Sequence, residues 1–330
     1  MPFRSILGHR HLTALLMRAV ERGSVPPTLL FAGPAGVGKW RVARALAEAV
    51  NCQAPAGGDA CGECRSCGRV ARDVHVDVLP LVPDDTGKIK VDVVREALER
   101  CAFRPFEGQR RVVLVREADA LVEQAQNALL KSLEEPPPTT MFVLTSAAPD
   151  SLLRTVRSRT MRLTFGRLPA EDVERILVRD HELPAAEAHR LAMMADGSVG
   201  AAIALGSSAL SETRDAATDL LRAAGAPDMA GRLAIAKAVV GEKSREKSRQ
   251  EVQAVLRVAA SIVRDVSVLH AGSDRRLLAN GDIGDVLERL ARLLPPPRAR
   301  TAFATLDRGV AALERNAGTK LVVEWVAAEL

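Results

Sequence analysis

The chain has 330 residues, of which 47% are hydrophobic and 26% are charged, as in an ordinary globular protein of two or three domains. No segment reaches the ~18 uninterrupted apolar residues of a membrane helix, and the first residues lack an apolar signal core, so a cytoplasmic protein is expected. The net charge of +5 is compatible with work near nucleic acid. However, 7 Phe, 2 Trp and no Tyr argue against a protein that stacks single-stranded bases on aromatic side chains.

The first half of the chain alternates strand and helix signals. Short apolar runs predict strands at 28–32, 74–82, 112–115, 141–145 and 161–165. Helical signals lie between them, at 40–50, 93–101 and 120–135, and prolines stop the last of these helices. In the helix at 93–101 the apolar side chains, Val93 among them, are expected on one buried face. This alternation predicts an α/β domain over residues 1–166, built on a parallel sheet with right-handed crossovers.

The strand signals stop after about residue 166. A helical pair at 170–178 and 185–194 predicts a small lid over residues 167–207, and Gly-Ser-Ser at 206–208 is typical of a linker. Amphipathic helix signals, with breaks at Gly241, Gly272 and Pro295, then predict an all-α domain over 208–330. The basic run at 243–249 fits a DNA contact or, as we favour, a solvated helix end.

A phosphate-binding motif follows the first predicted strand. Residues 33–40 read Gly-Pro-Ala-Gly-Val-Gly-Lys-Trp. The motif predicts a loop built from Gly33, Gly36, Gly38 and Lys39, in which backbone N–H groups and the lysine hold phosphates. Trp40 replaces the Ser or Thr that normally holds Mg²⁺, and an indole cannot ligate a metal. We therefore expect a degenerate loop that can hold a phosphate or sulfate but does not bind ATP productively.

A second departure follows the strand at 112–115. A working ATPase of this kind ends the strand in Asp-Glu, for the metal and the attacking water. Here the strand continues as Arg116-Glu117-Ala118-Asp119. Arg116 is a cation and cannot serve Mg²⁺, Glu117 alone cannot restore the site, and Asp119 is expected to point elsewhere. No intrinsic ATPase activity is expected.

Four cysteines lie together with the spacing C-x8-C-x2-C-x2-C: Cys52, Cys61, Cys64 and Cys67. This spacing predicts a module at 52–67 with a closed, four-thiolate structural Zn²⁺ site, without an open position for catalysis. Two disulfides are the alternative, which a cytosolic location disfavours. Cys101 is expected to be an inert core residue.

Two further motifs carry a family resemblance. Residues 127–137 read Asn-Ala-Leu-Leu-Lys-Ser-Leu-Glu-Glu-Pro-Pro, and Ser158-Arg159-Thr160 follows. With the phosphate motif and the cysteines, they resemble the bacterial clamp-loader subunits of DNA polymerase III over essentially the whole chain. The resemblance implies a RecA-like AAA+ P-loop domain with a parallel sheet, a small helical lid and an all-α collar domain for oligomerisation, in a protein of DNA replication.

Within this family the gamma/tau subunits hydrolyse ATP, and they carry a sensor arginine just after a Gly-Ser pair in the lid. Here Gly197-Ser198 is followed by Val199-Gly200-Ala201. With Trp40 and Arg116, this third departure resembles the family's non-hydrolysing subunit. A divergent gamma/tau-type or other AAA+ ATPase is the alternative. A zinc-dependent nucleic-acid module is disfavoured because the residues around the cysteines have mixed charge and no aromatic side chain.

The resemblance also implies a role for Arg159, together with Ser158 in the motif. It would be an arginine finger that acts in trans on ATP held by a neighbouring subunit; an ordinary salt-bridged surface arginine is the alternative. Thr160 departs from the family's Cys. The implied partners are gamma/tau-type ATPase subunits and a delta subunit in a hetero-pentamer, with the sliding clamp and primer–template DNA contacted through the complex, at replication forks on the nucleoid.

Overall fold

The computed structural model of the chain describes residues 1–206, 210–226, 228–241, 249–315 and 317–330. These residues form two compact units, Met1–Asp172 and Val173–Leu330. The predicted boundary between lid and collar, the linker at 206–208 and the basic run at 243–249 lie wholly or partly outside the described residues. The domains at 1–166, 167–207 and 208–330 therefore stay predictions.

A five-stranded sheet forms the centre of the first unit, with strand order β2-β3-β4-β1-β5 and every pair parallel. The strands are β1 (Thr28–Ala32), β2 (Val78–Leu81), β3 (Arg111–Val115), β4 (Thr140–Ser146) and β5 (Met161–Thr164). β1, β3 and β4 are buried along their whole lengths. Continuous burial is what a parallel sheet covered on both faces requires. The predicted α/β fold is confirmed.

Helices cover both faces of this sheet: α1 (Arg10–Glu21), α2 (Lys39–Val50), α3 (Arg65–Ala71), α4 (Val91–Cys101), α5 (Glu123–Glu134) and α6 (Arg154–Arg157). Alternate residues of β1 point to opposite faces. Leu29 and Phe31 join the core formed with α2, whereas Leu30 and Ala32 join the core formed with α4 and α5. Each face of the sheet therefore has its own hydrophobic core.

No strand is found among the described residues of the second unit, whose first helix, α7 (Ala170–His181), begins just before the unit boundary. The other α-helices are α8 (Ala185–Met194), α9 (Val199–Leu205), α10 (Leu210–Arg222), α11 (Met229–Val240), α12 (Arg249–His270), α13 (Gly284–Leu293), α14 (Pro296–Glu314) and α15 (Thr319–Glu329). α12 packs against α10, α13 and α14. Gly309 permits close approach of α14, since an added Cβ would lie 2.9 Å from Val326 and 3.2 Å from Leu256. None of the described helices is both long and apolar enough to span a bilayer.

The second predicted strand is much shorter than the sequence suggested. Strand structure was expected over residues 74–82, but β2 covers only Val78–Leu81. The fully buried Asp77 explains the difference, because its carboxylate accepts the N–H groups of residues 106–108 at 2.8–2.9 Å. The Arg111 guanidinium donates to the same carboxylate at 2.9 Å. The chain before β2 therefore forms an anchor for a neighbouring loop.

Two helical expectations also need correction. Val93 is 45% exposed, whereas Val94, Ala97 and Cys101 form the buried face of α4. The helix predicted over 120–135 begins only at Glu123, because residues 118–120 form a separate 3-10 turn. Apolar spacing alone did not distinguish these positions.

We expect the Asp77 anchor to make the stability of the first unit depend on acid pH. Burial alone would raise the pKa of Asp77, but three backbone N–H donors and the Arg111 guanidinium lower it to about 2, against an ordinary value of about 3.9. A lowered folded-state pKa stabilises the fold fully above about pH 4, and the contribution is lost as the pH falls from about 4 to about 2. Asp77→Asn should flatten this dependence and, by removing the only described counter-charge of the buried Arg111, cost about 3–5 kcal/mol of unfolding free energy.

The measurement is urea unfolding of the full chain in a Trp325→Phe background, so that fluorescence reports Trp40 in the first unit. Asp85→Asn removes an exposed carboxylate and is the control. If Asp77→Asn kept the acid dependence of the parent chain, the anchor would not be its source.

Candidate phosphate loop, arginine finger and metal centre

The phosphate motif forms the loop between β1 and α2. Gly33, Gly36 and Gly38 have φ angles of 154°, 73° and 102°, which favour glycine. A Cβ on Gly33 would lie 2.2 Å from the carbonyl oxygen of Phe165. α2 begins at Lys39, directly after the loop. The backbone path of a phosphate loop at a helix N-terminus is therefore present.

Lys39 lies against this loop. Its side chain is buried, and the ammonium donates to the carbonyl oxygens of Gly33 and Pro34, both at 2.7 Å. A second residue supports the loop from outside the motif, because a ring nitrogen of His9 bonds the carbonyl oxygen of Val37 at 2.8 Å. Burial lowers the pKa of His9. The sequence carried no signal for this contact, which joins residues far apart in the chain.

The two residues that depart from the ATPase pattern contact each other. The guanidinium carbon of Arg116 lies 6.0 Å from the centre of the Trp40 ring, at the outer range of a cation–π interaction. The Arg116 Nε atom lies 3.3 Å from the Glu117 carboxylate. The Asp119 carboxylate accepts the N–H of Ala147 at 3.1 Å. An aromatic ring and a cation that contact each other thus occupy the positions where a working ATPase has its Mg²⁺ ligands.

Arg159 lies at the other edge of the sheet. The phosphate loop and Arg116 follow the carboxyl ends of β1 and β3, which share one edge because all strands are parallel. Arg159 precedes β5, and its carbonyl oxygen accepts the hydroxyl of Thr28 at the start of β1, at 2.8 Å. The length of β1 separates the two edges, about 16 Å for five residues.

The side chain of Arg159 is 31% exposed and held by Glu134. Its Nε and Nη2 atoms both lie 2.9 Å from one carboxylate oxygen, and Nη1 donates to the carbonyl oxygen of Thr155 at 3.2 Å. Glu134 is the last residue of α5 and belongs to the motif at 127–137. The two quoted motifs therefore meet in space, a contact that sequence reasoning did not identify.

The residues on either side of Arg159 bind backbone carbonyls of the short α6 segment. The Ser158 hydroxyl donates to Thr155 at 3.1 Å. The Thr160 hydroxyl lies 3.2 Å from the carbonyl oxygen of Val156 and 3.3 Å from that of Arg157. Threonine in place of the family's cysteine therefore adds hydrogen bonds that secure this turn.

The four cysteines converge in space, and they could hold a metal ion. The sulfur atoms of Cys52, Cys61, Cys64 and Cys67 all lie within 4.8 Å of one another. Cys61 and Cys67 have their sulfurs 3.8 Å apart. Four thiolates at 2.3 Å from a tetrahedral Zn²⁺ have sulfurs about 3.8 Å apart. All five cysteines of the chain are free of disulfides, so the donor set and its spacing fit a thiolate-bound metal.

Backbone N–H groups point at these sulfurs. The N–H of Cys61 donates to the sulfur of Cys52 at 3.2 Å, and that of Cys64 donates to Cys61 at 3.3 Å. Hydrogen bonds from the backbone of Glu63 and Cys64 lower the pKa of Cys61 to about 6, whereas burial raises the pKa of Cys52 and of Cys67. Charged thiolate is the form that binds metal, and these donors favour it.

The cysteine module is joined to the rest of the first unit by Asp59. This buried carboxylate accepts the N–H groups of Phe3 at 2.7 Å and Arg4 at 3.0 Å. Gly58 has a φ of 74°, and a Cβ there would lie 1.9 Å from the carbonyl oxygen of Met17. The module therefore packs tightly on α1 and the N-terminal segment. By contrast Cys101 is buried in α4, where burial raises its pKa to about 11, as expected of a core residue.

We expect one metal ion per chain, bound by the four clustered thiolates. Cys64→Ser should abolish stoichiometric Zn²⁺ and lower the thermal stability of the first unit, since metal binding contributes folding free energy. Elemental analysis and thermal unfolding of the purified chain are the measurements. Cys101→Ala should retain the metal and serves as the control. A natural chain purified without chelators and free of bound metal would contradict the assignment.

Comparison with known proteins gives a consistent result. The family model described as DNA polymerase III, delta subunit, matches residues 8–169. The gamma/tau subunit of DNA polymerase III from Mycobacterium tuberculosis is 36% identical over 179 residues, covering 54% of this chain and 31% of that protein. The tau subunit from Salmonella typhimurium is 29% identical over 320 residues, covering 92% and 50%. The delta' subunit from Pseudomonas aeruginosa is 42% identical over 134 residues, covering 40% and 41%.

The fold and the loop geometry define a P-loop protein of the RecA-like AAA+ class. These matches support a member of the family of DNA polymerase III clamp-loader subunits, which the motifs had predicted. It spans half or less of the length of these curated relatives. Both gamma/tau and delta' subunits are among them, so family membership leaves the choice between hydrolysing and non-hydrolysing roles to the site itself.

Proposed function

We propose that the chain is the delta-prime subunit of the DNA polymerase III clamp loader, which hydrolyses no ATP and completes the active site of a neighbouring ATPase subunit. The placement of Arg159 carries this proposal. Its partly exposed side chain lies at the amino edge of the sheet, while the chain's own phosphate loop lies at the carboxyl edge. An arginine at that edge is badly placed for its own loop and well placed for a nucleotide on another subunit.

The nucleotide site supports the non-hydrolysing role over a gamma/tau-type ATPase. Catalysis of phosphoryl transfer needs Mg²⁺ held between the nucleotide and the protein. Trp40 and Arg116 offer no oxygen ligand, and their contact gives each of them a partner inside the site. A Ser-or-Thr hydroxyl and an aspartate would have been required at these positions. The alternative of a divergent AAA+ ATPase is therefore disfavoured.

In this role Arg159 supplies a positive charge to the neighbour's nucleotide, and the residues around it position its side chain. The Arg159 guanidinium presents a planar fork that matches phosphate oxygens. Placed beside a neighbour's nucleotide, it would stabilise the negative charge that develops during phosphoryl transfer, an effect worth ~10³–10⁵ in rate for fingers supplied in trans. Glu134 and the Thr155 carbonyl fix the direction of the side chain before any partner arrives.

The proposed partners follow from this role. They are gamma/tau-type ATPase subunits and a delta subunit in a hetero-pentamer that loads the sliding clamp onto primed DNA. Clamp and primer–template contacts would be made through the complex, in the cytoplasm at replication forks on the nucleoid. The cysteine cluster would hold a structural Zn²⁺, which supplies folding free energy to its module and leaves no coordination position open for chemistry.

We expect no ATP hydrolysis and weak Mg-ATP binding by the natural chain. The double variant Trp40→Thr/Arg116→Asp returns a hydroxyl and a carboxylate to the loop, so it should bind Mg-ATP roughly tenfold or more tightly, and only when Mg²⁺ is present. Calorimetry with Mg²⁺ and with EDTA measures this. Hydrolysis should stay absent, because residues 199–201 lack the sensor arginine.

The single variants Trp40→Thr and Arg116→Asp are the controls, since each restores one ligand and should give a smaller gain. Micromolar Mg-ATP binding coupled to steady hydrolysis by the natural chain would move it to the ATPase class.

For the finger we expect Arg159→Ala to leave folding and complex assembly intact, because its solvent-accessible ion pair with Glu134 contributes only about 0–1 kcal/mol to stability. Clamp-stimulated ATP hydrolysis by the reconstituted complex should fall, because one composite site loses its stabilising charge. The fall is partial, since the other sites of the ring keep their own fingers. Arg159→Lys should rescue poorly, because an ammonium cannot reproduce the planar fork.

Arg154→Ala controls for the general loss of positive charge near the same edge. The measurement is steady-state ATPase of the complex with clamp and primed DNA, after assembly has been verified by size-exclusion chromatography. Unchanged activity in the Arg159→Ala complex would refute the finger assignment.

A further inference from the structure

Helix α3, which contains Cys67 of the cysteine cluster, and its C-terminal capping residue together carry three arginines, called the arginine stripe below. Arg65, Arg69 and Arg72 are spaced at i, i+4 and i+7, which places them on one face of a helix. With Val74 they line an open cavity of about 390 Å³. The opposite face of α3 is buried through Ser66, Cys67 and Val70. The arginine stripe therefore faces solvent on a helix whose other side is fixed in the core.

The positive charge of this stripe is only partly compensated. Arg69 pairs with Glu107 at 2.9 Å. Arg72 donates to the carbonyl oxygen of Gly68 at 3.1 Å, without a carboxylate among its described contacts. Within the described parts of the chain, Arg65 has neither a hydrogen-bond nor an ion-pair partner. Two guanidinium groups in one cavity are thus left without a counter-charge.

The carboxylates near the arginine stripe already have other partners. Arg44 of α2 reaches the end of α3, where it donates to the carbonyl oxygens of Val70 and Ala71 at 3.1 and 3.0 Å. It also pairs with Asp73 at 2.9 Å, so that acid is already neutralised. Glu107 already pairs with Arg69, and its second oxygen accepts no hydrogen bond among the described residues. Asp73 and Glu107 therefore pair with Arg44 and Arg69, and neither of them neutralises Arg65 or Arg72.

We propose that the arginine stripe is a binding site for phosphate groups. The guanidinium fork matches phosphate oxygens in two-point contacts, and arginine is weakly hydrated for a cation. The stripe covers about 10 Å along the helix, enough for more than one phosphate. No aromatic side chain lines the cavity, so the ligand is held by its phosphates and not by stacked bases. The site is separate from the phosphate loop and does not depend on the proposed finger.

Two sources present this chemistry: the backbone of a nucleic acid and free phosphate. The experiment uses the full natural chain and two probes. Binding of a 20-base-pair DNA duplex is measured by fluorescence anisotropy at several salt concentrations, and binding of inorganic phosphate is measured by calorimetry. Arg65→Ala/Arg72→Ala should weaken binding of the responding probe by on the order of tenfold. For DNA it should also reduce the slope of log affinity against log salt by about 2.

Arg10→Ala/Arg18→Ala is the matched control. These exposed arginines of α1 also lack a described carboxylate partner, and Arg18 bonds a backbone carbonyl one turn back, as Arg72 does. Metal content and thermal unfolding should be unchanged in both double variants. A selective loss in the DNA arm identifies a nucleic-acid backbone, and a loss in the phosphate arm alone identifies free phosphate. Equal effects of the two double variants, or no effect in either arm, would overturn the proposal.

Discussion

The parallel pairing of β1 with β4 and β5 is the constraint on which the candidate site depends. Successive residues of β1 enter two different hydrophobic cores, so a one-residue slip in register would move each side chain to the wrong face. Parallel pairing also sends every strand in the same direction, which separates the loops that follow strands from those that precede them. The phosphate loop and Arg116 consequently share one edge, and Arg159 is confined to the other.

The elements that sequence predicted well are those whose signal is local. The first strand and the helix at Ala185–Met194 have the bounds expected from apolar spacing alone. The strand before residue 82 was overestimated because a polar residue at position 77 is compatible with a strand in sequence, whereas the contacts of Asp77 are made with a loop about 30 residues downstream. Val93 was assigned to the core because spacing cannot tell which of two adjacent apolar residues a neighbouring helix covers.

The candidate site likewise contains residues that local sequence patterns predicted and contacts that they could not predict. Gly33, Lys39 and the clustered cysteines could be identified from spacing, since a loop or a metal site imposes a short pattern on the chain. The contacts of Arg116 with Trp40 and of Arg159 with Glu134 could not, because each joins residues from separate elements. The first of these contacts gives the two departing residues a partner in each other, at the outer range of a cation–π interaction.

The ion pair between Arg159 and Glu134 has a consequence for repeated use of the finger. A solvent-accessible ion pair of this kind contributes about 0–1 kcal/mol to stability. Under the proposed role, the guanidinium can therefore exchange the Glu134 carboxylate for a phosphate group with little loss of free energy. After the neighbouring ATPase subunit has released its product, Arg159 would pair again with Glu134, which limits the number of rotamers that its side chain can occupy. Under the proposed role, the Glu134 carboxylate binds the Arg159 guanidinium between successive rounds of clamp loading and so keeps the side chain oriented.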